Sequence, residues 1–122
     1  MSKFNLQQSS SKIIIMKIDA LTNTPQQIVD AINKAIKDGD LKTWKRVEND
    51  KKETLYSHTP EQWDEKAMVK PNVHKDRTTF TITWWSKNEE PSLEVKGYIL
   101  GRFTEILLVH FQAYFTKLET TG

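Results

Sequence analysis

The stretch Leu93-Glu94-Val95-Lys96-Gly97-Tyr98-Ile99-Leu100-Gly101-Arg102-Phe103-Thr104-Glu105-Ile106-Leu107-Leu108-Val109-His110-Phe111, continuing Gln112-Ala113-Tyr114-Phe115-Thr116-Lys117-Leu118, is the densest apolar sequence in the chain. How it divides into elements decides the fold. Leu93, Val95 and Ile99 alternate against Tyr98 and Leu100, which predicts a strand over 93–101, with Gly97 marking a bulge or a close backbone approach. From Phe103 the period changes. Phe103, Ile106, Leu107, His110, Phe111, Tyr114, Phe115 and Leu118 recur at helical spacing, opposed by Thr104, Glu105, Gln112, Thr116 and Lys117. A helix over about 103–112 is expected, and the β-rich residues after Ala113 favour a last strand, although helix and strand remain open there.

Working outward, Arg77 to Trp85 alternates cleanly. Phe80, Ile82 and Trp84 fall on one face, and Thr79, Thr81, Thr83 and Trp85 on the other, so a regular strand would leave one of the paired indoles partly exposed. Ser86 to Ser92 reads as a loop. Upstream, Ile13 to Asp19 is a β-branched run of strand length, and Thr24-Pro25-Gln26-Gln27 announces a helix with a cap, a proline in the first turn and Gln27 in capping-box position. Ile28, Val29, Ile32, Ala35 and Ile36 form its stripe, and Gly39 ends it. Leu41 to Glu48 and Glu53 to Ser57 pair as a hairpin around Asn49-Asp50-Lys51-Lys52. A second capping box, Thr59-Pro60-Glu61-Gln62, predicts a short helix that Pro71 limits, with Lys66 to Lys70 equally able to be extended.

The expectation is an α+β domain: an antiparallel or mixed sheet of about five or six strands, with two main helices on one face. Residues 1–11, rich in Ser and Gln, are expected to be a disordered lead-in to a single domain over 12–122. The chain has 122 residues and no cysteine, which excludes disulfides and thiolate metal sites and favours a reducing, cytoplasmic setting. Neither a signal peptide nor a membrane-spanning apolar run is legible. With 18 basic and 16 acidic residues intermingled, the net charge of +2 is not the one-sided pattern of a nucleic-acid binder.

Two patterns, Ser57-His58-Thr59-Pro60-Glu61-Gln62-Trp63 and Gly101-Arg102-Phe103-Thr104-Glu105-Ile106-Leu107-Leu108-Val109-His110-Phe111, resemble a family of small uncharacterised bacterial single-domain proteins. The resemblance covers the middle and C-terminal two-thirds of the chain. It implies a bacterial origin and carries no activity or site with it.

Candidate chemistry is sparse. His58, His74 and His110 are the only histidines, and none stands at a metal-ligand spacing from another, so no metal and no cofactor is expected. His110 falls inside the helical apolar stripe, where it is either a core-edge histidine with a hydrogen-bond partner or a general acid–base or ligand group at the base of a pocket. Arg102 and Glu105, three residues apart, make a surface ion pair or, with Gly101, an anion site at a helix start. These three residues, with His58 as a fourth, are the catalytic or small-ligand candidates. Four tryptophans are many for this length, and Trp44 or Trp85 is the candidate partner surface, unless a segment such as 60–70 covers it. The leading expectation is a non-catalytic protein-interaction or accessory module, a toxin-neutralising partner being one concrete form. An enzyme or ligand binder built on Arg102, Glu105 and His110 is the alternative. A single-stranded nucleic-acid binder, stacking bases on Trp85 or Trp44 beside Lys42, Lys45 and Arg46, is the third. Partner identity, oligomeric state and biological process are not legible in the sequence.

Overall fold

A computed structural model describes residues 16–121. The elements in order are β1 (Lys17–Leu21), α1 (Pro25–Lys37), β2 (Trp44–Glu48), β3 (Thr54–His58), β4 (Met68–Val73), β5 (Arg77–Thr83), α2 (Leu93–His110), a single 3-10 turn (Gln112–Tyr114) and β6 (Lys117–Thr121). The strands form one six-stranded sheet in the order β2-β3-β4-β5-β1-β6, antiparallel at every pairing. The expected α+β class, the strand number and the two helices on one face are all found. The lead-in expected at residues 1–11, and Ile13 to Ile15 of the expected first strand, lie outside the described residues.

Register places Ile18, Phe80, Val69, Tyr56 and Trp44 on the face that carries the helices. Ile28 and Ile32 of α1, together with Ile99, Phe103 and Leu107 of α2, close over them with no exposed surface. The opposite, open face carries Asp19, Thr79, Thr81, Lys70, Leu55 and Lys45.

Helix α1 begins at Pro25, but not through the expected capping box. The Thr24 side chain makes no cap hydrogen bond, and its backbone N–H donates to Thr22 Oγ1 at 3.0 Å instead. Its end follows expectation. Gly39 takes φ +81°, its N–H donates to Ile36 O at 3.1 Å, and Asp40 N–H donates to Ala35 O at 2.8 Å. That double closure needs a left-handed residue where glycine stands.

Two expectations are corrected. Residues 59–67 form successive turns rather than a short helix: Trp63 and Asp64 N–H both donate to Pro60 O, at 2.8 and 3.0 Å, and Glu65 then turns left-handed at φ +56°. Glu65 is held there by side chains of the open face. Its N–H donates to Ser57 Oγ at 2.9 Å, and its carboxylate accepts from Trp85 Nε1 at 2.8 Å and Lys45 Nζ at 3.0 Å. Pro71, expected to end that helix, lies inside β4. The β3–β4 ladder covers only Tyr56↔Val69 and Ser57↔Met68, so beyond Val69 the β3 side of β4 is unpaired and Pro71's missing N–H breaks no rung.

The larger correction is in the decisive stretch. Residues 93–101 are not a strand but the first half of α2, which starts when Ser92 Oγ accepts the Val95 N–H at 3.2 Å. Its buried positions are Lys96, Ile99, Leu100, Phe103 and Leu107, a helical spacing that begins before Gly97 rather than after Gly101. Gly97 marks neither a bulge nor a close backbone approach: it lies inside the helix, and a Cβ there would stand 3.6 Å from Met16 Cε, an ordinary van der Waals contact. A Cβ on Gly101 would meet nothing within 4 Å. Gly101→Ala should therefore raise stability by about 0.5–1 kcal/mol in urea unfolding, because alanine restricts the unfolded chain without a clash. A strand at 93–101 would predict no such gain. The last segment resolves as expected, helix and then strand.

Candidate functional site

Around the axis of α2 the residues divide into a core-facing arc and an outward arc. Outward point Tyr98, Arg102, Glu105, Leu108, Val109 and Gln112. Trp63 from the 59–67 turns stacks on Tyr98, with centroids 4.0 Å apart and planes at 16°, and Arg102 lies over the same ring at 5.1 Å. Arg102 Nη1 donates to Glu105 Oε1 at 2.8 Å. With both side chains about half exposed, this pair contributes little to stability, on the order of 0.2–0.5 kcal/mol.

One turn further on, the outward arc becomes apolar. Leu108 is 47% and Val109 69% exposed, two of four large hydrophobic residues so exposed among the described residues. Helix α1 has a single apolar stripe, whereas the last turn of α2 carries Leu108 and Val109 on its outward side in addition to the buried Leu107 on its inward one.

His110 has the helical angle of the core positions, as its spacing implies, yet it is the following Phe111 that is buried. His110 itself is exposed and not a core-edge residue. It borders a cleft of about 560 Å³ against the end of α1, with Lys34, Asp38, Asp40, Phe111 and Tyr114. Eight residues separate it from Arg102, about 12 Å along the helix axis. His110 and the Arg102–Glu105 pair therefore do not share one pocket.

His58 sits elsewhere and is no turn residue. It closes β3, is 6% exposed, and packs its ring against Trp44 at 4.8 Å and Tyr98 at 6.2 Å. Its Nδ1 lies 2.9 Å from Thr43 O, where only a protonated Nδ1 can donate. The structure thus brings both His58 and Arg102 against the Tyr98 ring. Burial pushes the His58 imidazole below its ordinary value, the Thr43 carbonyl partly offsets this, and the Arg102 cation adds to the depression.

A depressed folded value means that neutral His58 stabilises the fold above about pH 6.5, and that this contribution is lost as pH falls through the lower folded value. An NMR titration of the His58 ring should find its midpoint below about 6.5, and Arg102→Gln should move it upward. A midpoint at or above the ordinary value would contradict the burial and the contact.

Trp44 cannot be a partner surface. It is 4% exposed and its ring meets Phe103 edge-on at 5.3 Å, because β2 turns this side chain under α2. Trp85 is half-buried, and residues of the 59–67 turns do contact it, through the Glu65 hydrogen bond. Since β5 ends at Thr83, Trp84 and Trp85 lie past the pleat and need not point to opposite faces; both line one cleft. Lys45 is paired with Asp64 at 2.9 Å and Glu65 at 3.0 Å. Among the described residues no three of His, Cys, Asp and Glu are grouped as a metal ion would require, and no helix is long and apolar enough to cross a membrane.

No protein-family model, curated protein or solved structure matches the chain. Its function has to be argued from its own surface.

The sequence contained the signal for Leu108 and Val109, since Ile106-Leu107-Leu108-Val109 offers more apolar residues than one helix face can bury. The Trp63–Tyr98 stack carried no such signal, because it joins segments 35 residues apart through a turn read as a helix.

Proposed function

We propose that this protein acts by binding another protein through the outward face of the C-terminal half of α2. The observation that carries this is the exposure of the adjacent Leu108 and Val109, at 47% and 69%, one beside the other on the same helix. Large apolar side chains grouped on a surface and rimmed by polar ones are the usual centre of a protein contact. Arg102, Glu105 and Gln112 supply the rim. The complementary surface is an apolar recess with polar groups at its border. In the native host a partner should co-purify in a fixed ratio and remain bound at moderate salt, because the contact centre is apolar. Recovery of the chain alone would count against this role, and a doubling of its own mass in solution would make the surface a homodimer contact.

A small-ligand reading keeps one specific support, the His110 cleft. Its companions there would be Asp38 and Asp40, with Arg102 and Glu105 outside. The nucleic-acid reading loses two of its residues, since Trp44 is buried and Lys45 is held by two carboxylates.

A further inference from the structure

The open face of the sheet carries a second feature, independent of α2's outward arc. Where β5 ends, Trp84 and Trp85 line a cleft of about 310 Å³ together with the β2–β3 turn and with Leu55, which is 2% exposed. Both indoles are held in place yet only half-buried. Trp85 is tethered at its edge, Nε1 donating to Glu65 Oε1 at 2.8 Å, and Trp84 lies under Lys96 Nζ at 4.7 Å from its ring centroid. A ring fixed by its edge or one face presents the remainder without an ordering cost on binding.

The rest of the lining is equally fixed. Glu53 accepts from Asn49 Nδ2 at 2.8 Å and pairs with Lys70 at 3.0 Å, while Asn49 Oδ1 accepts the N–H groups of Lys51 and Glu53 at 3.0 and 2.9 Å. Asn49 and Lys70 hold the Glu53 carboxyl below its ordinary range, so it is an acceptor at neutral pH. Lys70 keeps donors beyond the one it gives Glu53, and Ser86 adds a hydroxyl at the rim.

Charge narrows the ligand class. Asp50 and Glu53 balance Lys51 and Lys70, so the cleft has no net attraction for a phosphate or for an organic cation. What matches fixed aromatic rings together with fixed donors and acceptors is a neutral ring that is apolar on its flat side and hydroxylated at its edge. We propose that the cleft lined by Trp84, Trp85 and the β2–β3 turn binds the ring of a neutral saccharide. The volume lies at the low end for ligand sites, about 300–1,000 Å³, and accommodates one sugar unit or the end of a longer chain.

The test is a calorimetric and tryptophan-fluorescence titration of the intact chain with glucose, galactose, mannose, N-acetylglucosamine, cellobiose, lactose and chitobiose, with adenosine and uridine monophosphates alongside. At least one saccharide should bind saturably at millimolar concentration. Trp85→Ala should weaken it by about tenfold or more, and Trp63→Phe, on the helix side, should leave it unchanged. Should Trp85→Ala not fold by circular dichroism, Lys70→Ala and Ser86→Ala probe the rest of the cleft, and each should weaken binding several-fold. The proposal is overturned if no saccharide binds, if binding survives these cleft variants at full affinity, or if a mononucleotide binds more tightly than every sugar.

Discussion

Replacing Phe103 with alanine is expected to cost about 3–5 kcal/mol of folding stability, a large part of what a domain of this size has. Phe103 is fully buried, and its ring meets Trp44 of β2 at 5.3 Å, Tyr56 of β3 at 5.7 Å and Phe80 of β5 at 5.0 Å. One side chain of α2 thus touches three strands, two of them not neighbours in the sheet. Removing it takes away the transfer energy of the ring and leaves a void that the three large side chains around it can close only in part. Thermal unfolding should show a fall in Tm of roughly 10–25 °C. A loss below about 1 kcal/mol would mean that α2 does not pack over the sheet at this point.

The second large effect concerns binding and not folding. Leu108→Lys with Val109→Lys should lower affinity for the co-purifying partner by about a hundredfold, as expected when the apolar centre of a contact is replaced by charge. Lysine is the informative choice because a cation in the last turns of a helix is compatible with its dipole. Exposed positions tolerate such changes within about 0.5 kcal/mol. The urea midpoint of the double variant should therefore match that of the wild type. Loss of binding together with loss of stability would point to a structural role for this pair.

Much of the fold was legible because its signals are local. Helix α1 shows in Pro25, its apolar stripe and Gly39, and β5 in the alternation of Phe80 and Ile82 with threonines. Residues 93–101 misled for a physical reason: two glycines break the helical pattern, and Leu93, Val95 and Ile99 satisfy a two-residue period by coincidence. What decides for helix is tertiary. Ile99, Leu100 and Phe103 find the apolar face of the sheet together, and Lys96, which interrupts the stripe in sequence, extends over Trp84 to reach Glu90.

The site was legible in composition but not in placement. His110 has the right angle for the core, yet it is exposed while the following Phe111 is buried, and which of the two the rest of the fold covers at a helix end is not written in that helix. Trp44 and Trp85 looked equivalent, and only the register of β2 beneath α2 separates a core ring from a half-buried one. Ser57 gives no sign in sequence that its hydroxyl anchors Glu65 in a left-handed turn.

The most direct test of the central claim is photo-cross-linking in the native host from a photoreactive residue placed at Val109, compared with the same residue at the exposed Lys42. A partner seated on the outward face of α2 predicts one dominant adduct from position 109, absent from position 42 and competed by the unlabelled chain. No adduct from position 109, or the same adducts from both positions, would contradict it.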